Sequence, residues 1–145
     1  SLAPVRHLEA CASLPTGAAK GAAWERIMND ETLTNDQVSA LAAGFSVPGQ
    51  EALRADYLDR YFASLIPVWA SRSNEIGQRI VEGLRPDAGD AVPGLEVAEH
   101  PVPAATRAWL DAHPDAPAAL RRYVLEGLDD TERALRAQLA GVPTP

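Results

Sequence analysis

The residues of this chain best suited to binding a metal are a histidine and a cysteine near its start. His7 and Cys11 are four positions apart, so a helix would place them on one side, and both side-chain types are zinc ligands. Glu99, His100 and His113 are far away in the sequence. Two ligands at one helical spacing do not complete a site, and a partly exposed histidine beside a small buried cysteine explains the pair more simply. A hydrolase built on these residues is therefore a remote hypothesis.

Motifs that would mark a catalytic centre are missing from the sequence. There is no His-Glu-x-x-His pair of zinc ligands, no Gly-x-Ser-x-Gly turn, no phosphate-binding glycine loop and no dinucleotide fingerprint. We assign no catalytic residue, metal ligand or cofactor to this chain.

Two arginines beside a run of aromatic residues are the remaining candidates for chemistry. Arg60 or Arg72 could border a concave surface and hold a peptide carboxylate with a bidentate guanidinium. The simpler interpretation is a solvated helix face, in which Asp56 pairs with Arg60 four positions later. We keep both arginines as candidate substrate-binding residues.

The elements that would position these arginines are helices. Residues 56–76 carry large apolar side chains at helical spacing, which predicts one wide apolar stripe for packing. Pro67 lies inside this segment and costs about 3 kcal/mol in an unrelieved helix, so we predict a kink or an interhelical break near residues 65–67. The helix should then continue and stop before Pro86.

The rest of the chain also favours helices. Residues 5–13 and 16–30 predict a helical hairpin, and Thr34 with Gln37 forms a capping-box pattern. A Pro- and Gly-rich segment, 85–102, predicts a long loop. Two helices should follow, over 103–112 and from Asp115 onward, with a tail over 141–145 that should fray. The predicted fold is all-α: one domain over 1–145 of stacked antiparallel helical hairpins, an irregular HEAT-like or α-solenoid-like arrangement.

Composition limits the partners. The 145 residues are 46% hydrophobic, enough for one domain with a core. A formal charge of -7 disfavours nucleic acid and anionic lipid as partners, and no apolar run reaches the ~20 residues that span a bilayer. One cysteine excludes an internal disulfide, so we expect a cytoplasmic protein. The chain lacks an initiator Met, which suggests a piece of a longer protein.

The order and spacing of several segments resemble the helical C-terminal domain of bacterial aminopeptidase N, a family of zinc aminopeptidases of the gluzincin type, in the version shared with the endoplasmic-reticulum aminopeptidases. The resemblance covers most of the chain outside the loop and rests on packing motifs. The segments that carry it are Lys20-Gly21-Ala22-Ala23-Trp24, Asn29-Asp30, Leu33-Thr34-Asn35, Gly44-Phe45, Gln50, Tyr57-Leu58-Asp59-Arg60-Tyr61-Phe62, Val68-Trp69-Ala70-Ser71-Arg72-Ser73-Asn74-Glu75-Ile76, Pro117-Ala118-Ala119-Leu120-Arg121-Arg122 and Leu125-Glu126-Gly127-Leu128-Asp129-Asp130.

The resemblance implies a non-catalytic domain that closes the peptide chamber over the catalytic domain of the same polypeptide. In that family the zinc and its ligands belong to the catalytic domain, so this chain should be inactive alone while its parent removes N-terminal residues from peptides. The alternative is a free-standing helical protein-interaction module without a peptidase.

Overall fold

The fold is all-α, as predicted. A computed structural model describes residues 2–141, with side chains from Pro4 onward, and no strand occurs within this range. Residues 142–145, expected to fray, lie outside it. Single 3-10 turns cover Ala55–Tyr57 and Val97–Glu99. The helices are α1 (Leu2–Ala12), α2 (Gly17–Asn29), α3 (Asn35–Phe45), α4 (Glu51–Arg54), α5 (Leu58–Ser71), α6 (Asn74–Gly83), α7 (Pro101–Ala112) and α8 (Ala118–Leu139).

The chain forms two compact units, Ser1–Arg85 and Pro86–Pro145. Their boundary falls where the segment 85–102 begins, which was predicted to be a loop. That segment is irregular as far as Glu96, then forms the second 3-10 turn and enters α7 at Pro101. The description of 1–145 as a single domain of stacked hairpins stays a prediction, and each unit is described by itself below.

In the first unit, α3 is central because α1, α2 and α6 all pack against it. Two glycines permit the close approach. A Cβ on Gly44 would lie 2.5 Å from the Cβ of Ala12 in α1, and one on Gly83 would lie 2.8 Å from the Cβ of Ala42. The interior is apolar, and side chains such as Ile27, Val38 and Leu65 are almost fully buried. Burying each contributes roughly 1.5–3 kcal/mol.

A charged side chain is buried at the junction of α1, α2 and α3. Lys20 is the single lysine of the sequence and is 0% exposed. Its Nζ donates to the carbonyl oxygens of Ala12 and Gly44, each at 2.8 Å. Both acceptors lie in the last turns of their helices, where the helix dipole favours a positive charge. Lys20 therefore joins the ends of α1 and α3.

Helix starts follow the signals in the sequence. Thr16 accepts a hydrogen bond from Ala19 at the start of α2, and the predicted capping box of Thr34 and Gln37 is present at the start of α3. Ser73 caps α6 in the same way. These caps satisfy amides that have no partner inside the helix.

Of the two alternatives predicted near residues 65–67, a kink or an interhelical break, the break is not present, because α5 runs without interruption from Leu58 to Ser71 with Pro67 inside it. The interruption falls later, at Arg72 and Ser73, where Ser73 begins α6. Ala63, whose carbonyl loses its usual partner, and Pro67 are both exposed, so water can bond that carbonyl. The buried face of α5 holds the helix together across this point.

In the second unit, α7 packs on α8. Glu132 is buried and receives hydrogen bonds from Arg107 in α7 and from Arg136 one turn along α8. The irregular segment is held to α8 by Gln138, which accepts from the amide of Ala91 at 2.7 Å and donates to the carbonyl of Gly89 at 3.0 Å. Pro117 occupies the N-cap position of α8 without a side-chain capping hydrogen bond, whereas Asp115 was predicted to open this helix.

Within residues 2–141, none of the helices has the length and apolar character required to cross a membrane.

Candidate substrate groove between helices α2 and α5

The α2–α5 groove is an open depression of about 380 Å³ on the first unit. Its walls combine apolar surface with two serine hydroxyls and one guanidinium, the composition expected of a binding surface that orients a flexible ligand. The lining residues are Trp24, Met28, Arg60, Ala63, Ser64, Pro67, Val68 and Ser71.

Arg60 is the charged side chain of this groove. It is exposed, and its guanidinium carbon lies 5.0 Å from the centre of the Tyr57 ring. Tyr57 in turn packs against Trp24 and Phe45, with ring centres 5.0 and 5.2 Å away. The aromatic cluster therefore supports the aliphatic stem and cation of Arg60, which leaves its hydrogen-bond donors available at the groove.

Arg72 is placed differently. Its Nη2 donates to the carbonyls of Ile27 at 2.8 Å and Met28 at 3.0 Å, in the last turn of α2. Its Nε is buried and has no hydrogen-bond partner. Arg72, the residue after the end of α5, thus caps α2 and adjoins the groove through Met28, which lines it. The two candidate arginines lie near one groove, but only Arg60 lines it.

The possible metal ligands do not assemble into a site. Sγ of Cys11 lies 3.5 Å from Nε2 of His7, and the thiol is exposed, so the expectation of a buried cysteine is wrong. The other histidines bond main-chain groups: Nδ1 of His100 accepts from the amide of Val102 at the start of α7, and His113 stacks on Trp109. Among the described residues, no three His, Cys, Asp or Glu side chains could hold one metal ion.

The α2 wall of the groove was not predicted from the sequence. Trp24 and Met28 were assigned to a helix but not to a shared surface, since their partners lie about 40 residues later in α5. A signal was present in α5, where Ala63, Pro67 and Ser71 repeat at four-residue spacing. A row of small side chains on an otherwise bulky helix leaves space beside it.

Comparison with known proteins agrees with the resemblance. Residues 5–133 match the family model of the ERAP1-like C-terminal domain. The protein named Aminopeptidase N of Streptomyces lividans is 44% identical over 130 residues, which are 89% of this chain and 14% of that protein. The chain therefore spans about a seventh of the length of the curated relative it matches. The matches do not favour a free-standing interaction module.

The predicted relationship to the C-terminal region of aminopeptidase N is thus confirmed, and the chain belongs to the ERAP1-like C-terminal domain family.

Proposed function

We propose that this chain is the non-catalytic C-terminal part of a zinc aminopeptidase that removes N-terminal residues from peptides. The observation that carries the proposal is the family match over residues 5–133, together with 44% identity to an aminopeptidase N. The described residues do not offer a set of metal ligands, so the proposal assigns zinc to the catalytic domain of the parent polypeptide. That domain is the proposed partner of this chain.

The role proposed for this part is to close the peptide chamber, with the α2–α5 groove facing the substrate. Arg60 and Arg72 remain the candidates for contact with peptide. A guanidinium can bind a peptide carboxylate through two parallel hydrogen bonds, and Arg60 has the exposure and the aromatic support for this. Arg72 would act on the groove by fixing the end of α2.

A cytoplasmic location belongs to the same proposal. It is consistent with the exposed free thiol of Cys11, because reducing compartments keep such thiols reduced. Fractionation of cells that produce the parent protein, followed by detection of this chain, tests it.

Hydrolysis of an amino-acid anilide tests the proposed function. The 145-residue chain is compared with the longest reading frame that contains it, with and without added zinc and a chelator. Chelator-sensitive activity only in the longer protein supports the proposal. Activity of the short chain alone, or no activity in either protein, overturns it.

The proposed contact of Arg60 with peptide is tested in the longer protein with peptides of different length. Arg60→Ala should raise KM for those peptides that reach the groove and leave anilide hydrolysis unchanged. Arg122→Ala is the matched control, since Arg122 also lies 5.0 Å from a tyrosine ring centre, that of Tyr123. Equal kinetics of Arg60→Ala and the wild type for all lengths would remove Arg60 as a peptide anchor.

A further inference from the structure

A second groove of the first unit runs between α1 and α2, on residues that the proposed function does not use. It has a volume of about 440 Å³, enough for several apolar side chains. Its floor reaches Leu41 of α3, which is only 4% exposed. The lining residues are Leu8, Cys11, Ala12, Leu14, Thr16, Ala18, Ala19, Ala22, Ala23, Arg26 and Leu41.

This α1–α2 groove exposes apolar surface to water. Leu14, at the turn between the helices, is 54% exposed, and Cys11, Ala18 and Ala22 are exposed beside it. Contact of such surface with water is unfavourable relative to burial. Apolar side chains that line one groove together offer a surface on which another element can pack.

The shape and charge of the α1–α2 groove favour an apolar helix as its occupant. Alanines line the α2 wall, so a third helix can approach closely and insert larger side chains. Arg26 is the single charged lining residue, and its Nε lies 3.6 Å from a carboxylate oxygen of Asp30. A peptide terminus would therefore find no unpaired charge to hold it here, whereas a helix with apolar residues at i, i+3, i+4 and i+7 would fit.

We propose that this groove is covered by an amphipathic helix from the preceding part of the same aminopeptidase polypeptide. The inference rests on the proposed function. The aminopeptidase N relative aligns with this chain over 14% of its length, so most of such an enzyme lies outside the structure. Helix α1 is itself one wall of the groove, so a helix joined to its N-terminal end would reach the groove by a short connection.

Cys11 provides a direct probe, since it lines the groove, is exposed and is the single cysteine of this chain. Its rate of alkylation by iodoacetamide is measured by peptide mapping in the 145-residue chain and in the longest reading frame. We expect alkylation to be at least about tenfold slower in the longer protein, because a bound helix must open first. The control variant, Cys11→Ala with Ala119→Cys, places the thiol on an exposed position of α8 and should react equally fast in both.

The outcomes separate this proposal from the proposed function. Fast alkylation of Cys11 in a longer protein that hydrolyses the anilide overturns the groove proposal alone. Protection that appears in the short chain and rises with its concentration would identify a second copy as the occupant, which also overturns it. If Cys11 is protected in the longer protein but that protein does not hydrolyse the anilide, the groove proposal is supported and the proposed function is overturned.

A second variant tests the same surface without a thiol reagent. Ala22→Arg places a charge on an exposed position of the groove, so it should leave the unfolding midpoint of the short chain nearly unchanged. In the longer protein it should lower that midpoint. Ala119→Arg, at an exposed position of α8, is the control, and an equal effect of both variants on the longer protein would contradict the proposal.

Discussion

Replacing Lys20 by methionine tests whether a buried amine holds the first unit together. The amine bonds two carbonyls that have no partner within their own helices. The amide that would reach the Gly44 oxygen belongs to residue 48, a proline without an N–H. The amide of Thr16, four residues after Ala12, donates to Leu14 instead. Lys20 therefore satisfies two acceptors that the helix ends leave open.

The size of the effect follows from these two hydrogen bonds. Methionine keeps most of the apolar stem of Lys20 but removes both donors. Each buried carbonyl left without a partner costs ~1–3 kcal/mol. Burial lowers the pKa of the Lys20 amine, with a further contribution from the positive charge of Arg54, so removing the charge recovers part of the loss. We expect Lys20→Met to reduce the free energy of unfolding by about 2–3 kcal/mol.

The assay is urea unfolding of the 145-residue chain followed by far-UV circular dichroism and tryptophan fluorescence. Arg6→Met is the matched control, since it removes one positive charge from an exposed position of α1 and should change stability by less than about 0.5 kcal/mol. A Lys20→Met midpoint equal to that of the control would refute the idea that Lys20 supports the ends of α1 and α3.

Three further predictions follow from the same unit. Because the pKa of Lys20 is lowered in the folded chain, the folded chain loses this proton at a lower pH than the unfolded chain does. The stability of the wild type relative to Lys20→Met should therefore rise with pH between the folded pKa and about 10.5. Urea midpoints across that range measure this difference, and a relative stability that falls with pH would contradict the prediction. Gly44→Ala should cost ~1–3 kcal/mol because its Cβ would lie 2.6 Å from the carbonyl oxygen of Glu9, and an unchanged urea midpoint would contradict this. Tyr61→Phe removes a buried hydrogen bond of 2.5 Å to the carbonyl of Val81, so calorimetry should show a loss of ~1–2 kcal/mol, whereas an unchanged Tm would show that this bond contributes nothing net.

Local features of the fold could be predicted from the sequence because their causes are local. The caps at Thr16 and Thr34 need only residues three positions later, and apolar spacing alone indicated each long helix. Of the kink or interhelical break expected near Pro67, the break is absent because packing keeps the helix continuous. The ~3 kcal/mol cost of an internal proline is offset by the burial of Tyr61, Leu65 and Val68 on the opposite side of α5.

Features that join distant parts of the chain could not be predicted in this way. Lys20 reaches Gly44 across 24 positions, and no periodicity within α2 distinguishes it from a solvated lysine. The α2–α5 groove could not be predicted either, because its two walls come from helices that α3 and α4 separate in the sequence. Sequence spacing identifies which face of a helix is apolar, but the partner of that face is set by tertiary packing.

The two candidate arginines show that tertiary packing, and not sequence spacing, determines which side chain is available to a ligand. Both stand beside aromatic residues in the sequence, and nothing in the spacing separates them. In the structure Arg72 gives two hydrogen bonds to the end of α2, whereas Arg60 rests on Tyr57 at the edge of the groove. An arginine already bonded to main-chain carbonyls loses those bonds when it turns to a ligand. The geometry therefore favours Arg60 as the direct contact with a peptide and Arg72 as the residue that positions the wall behind it.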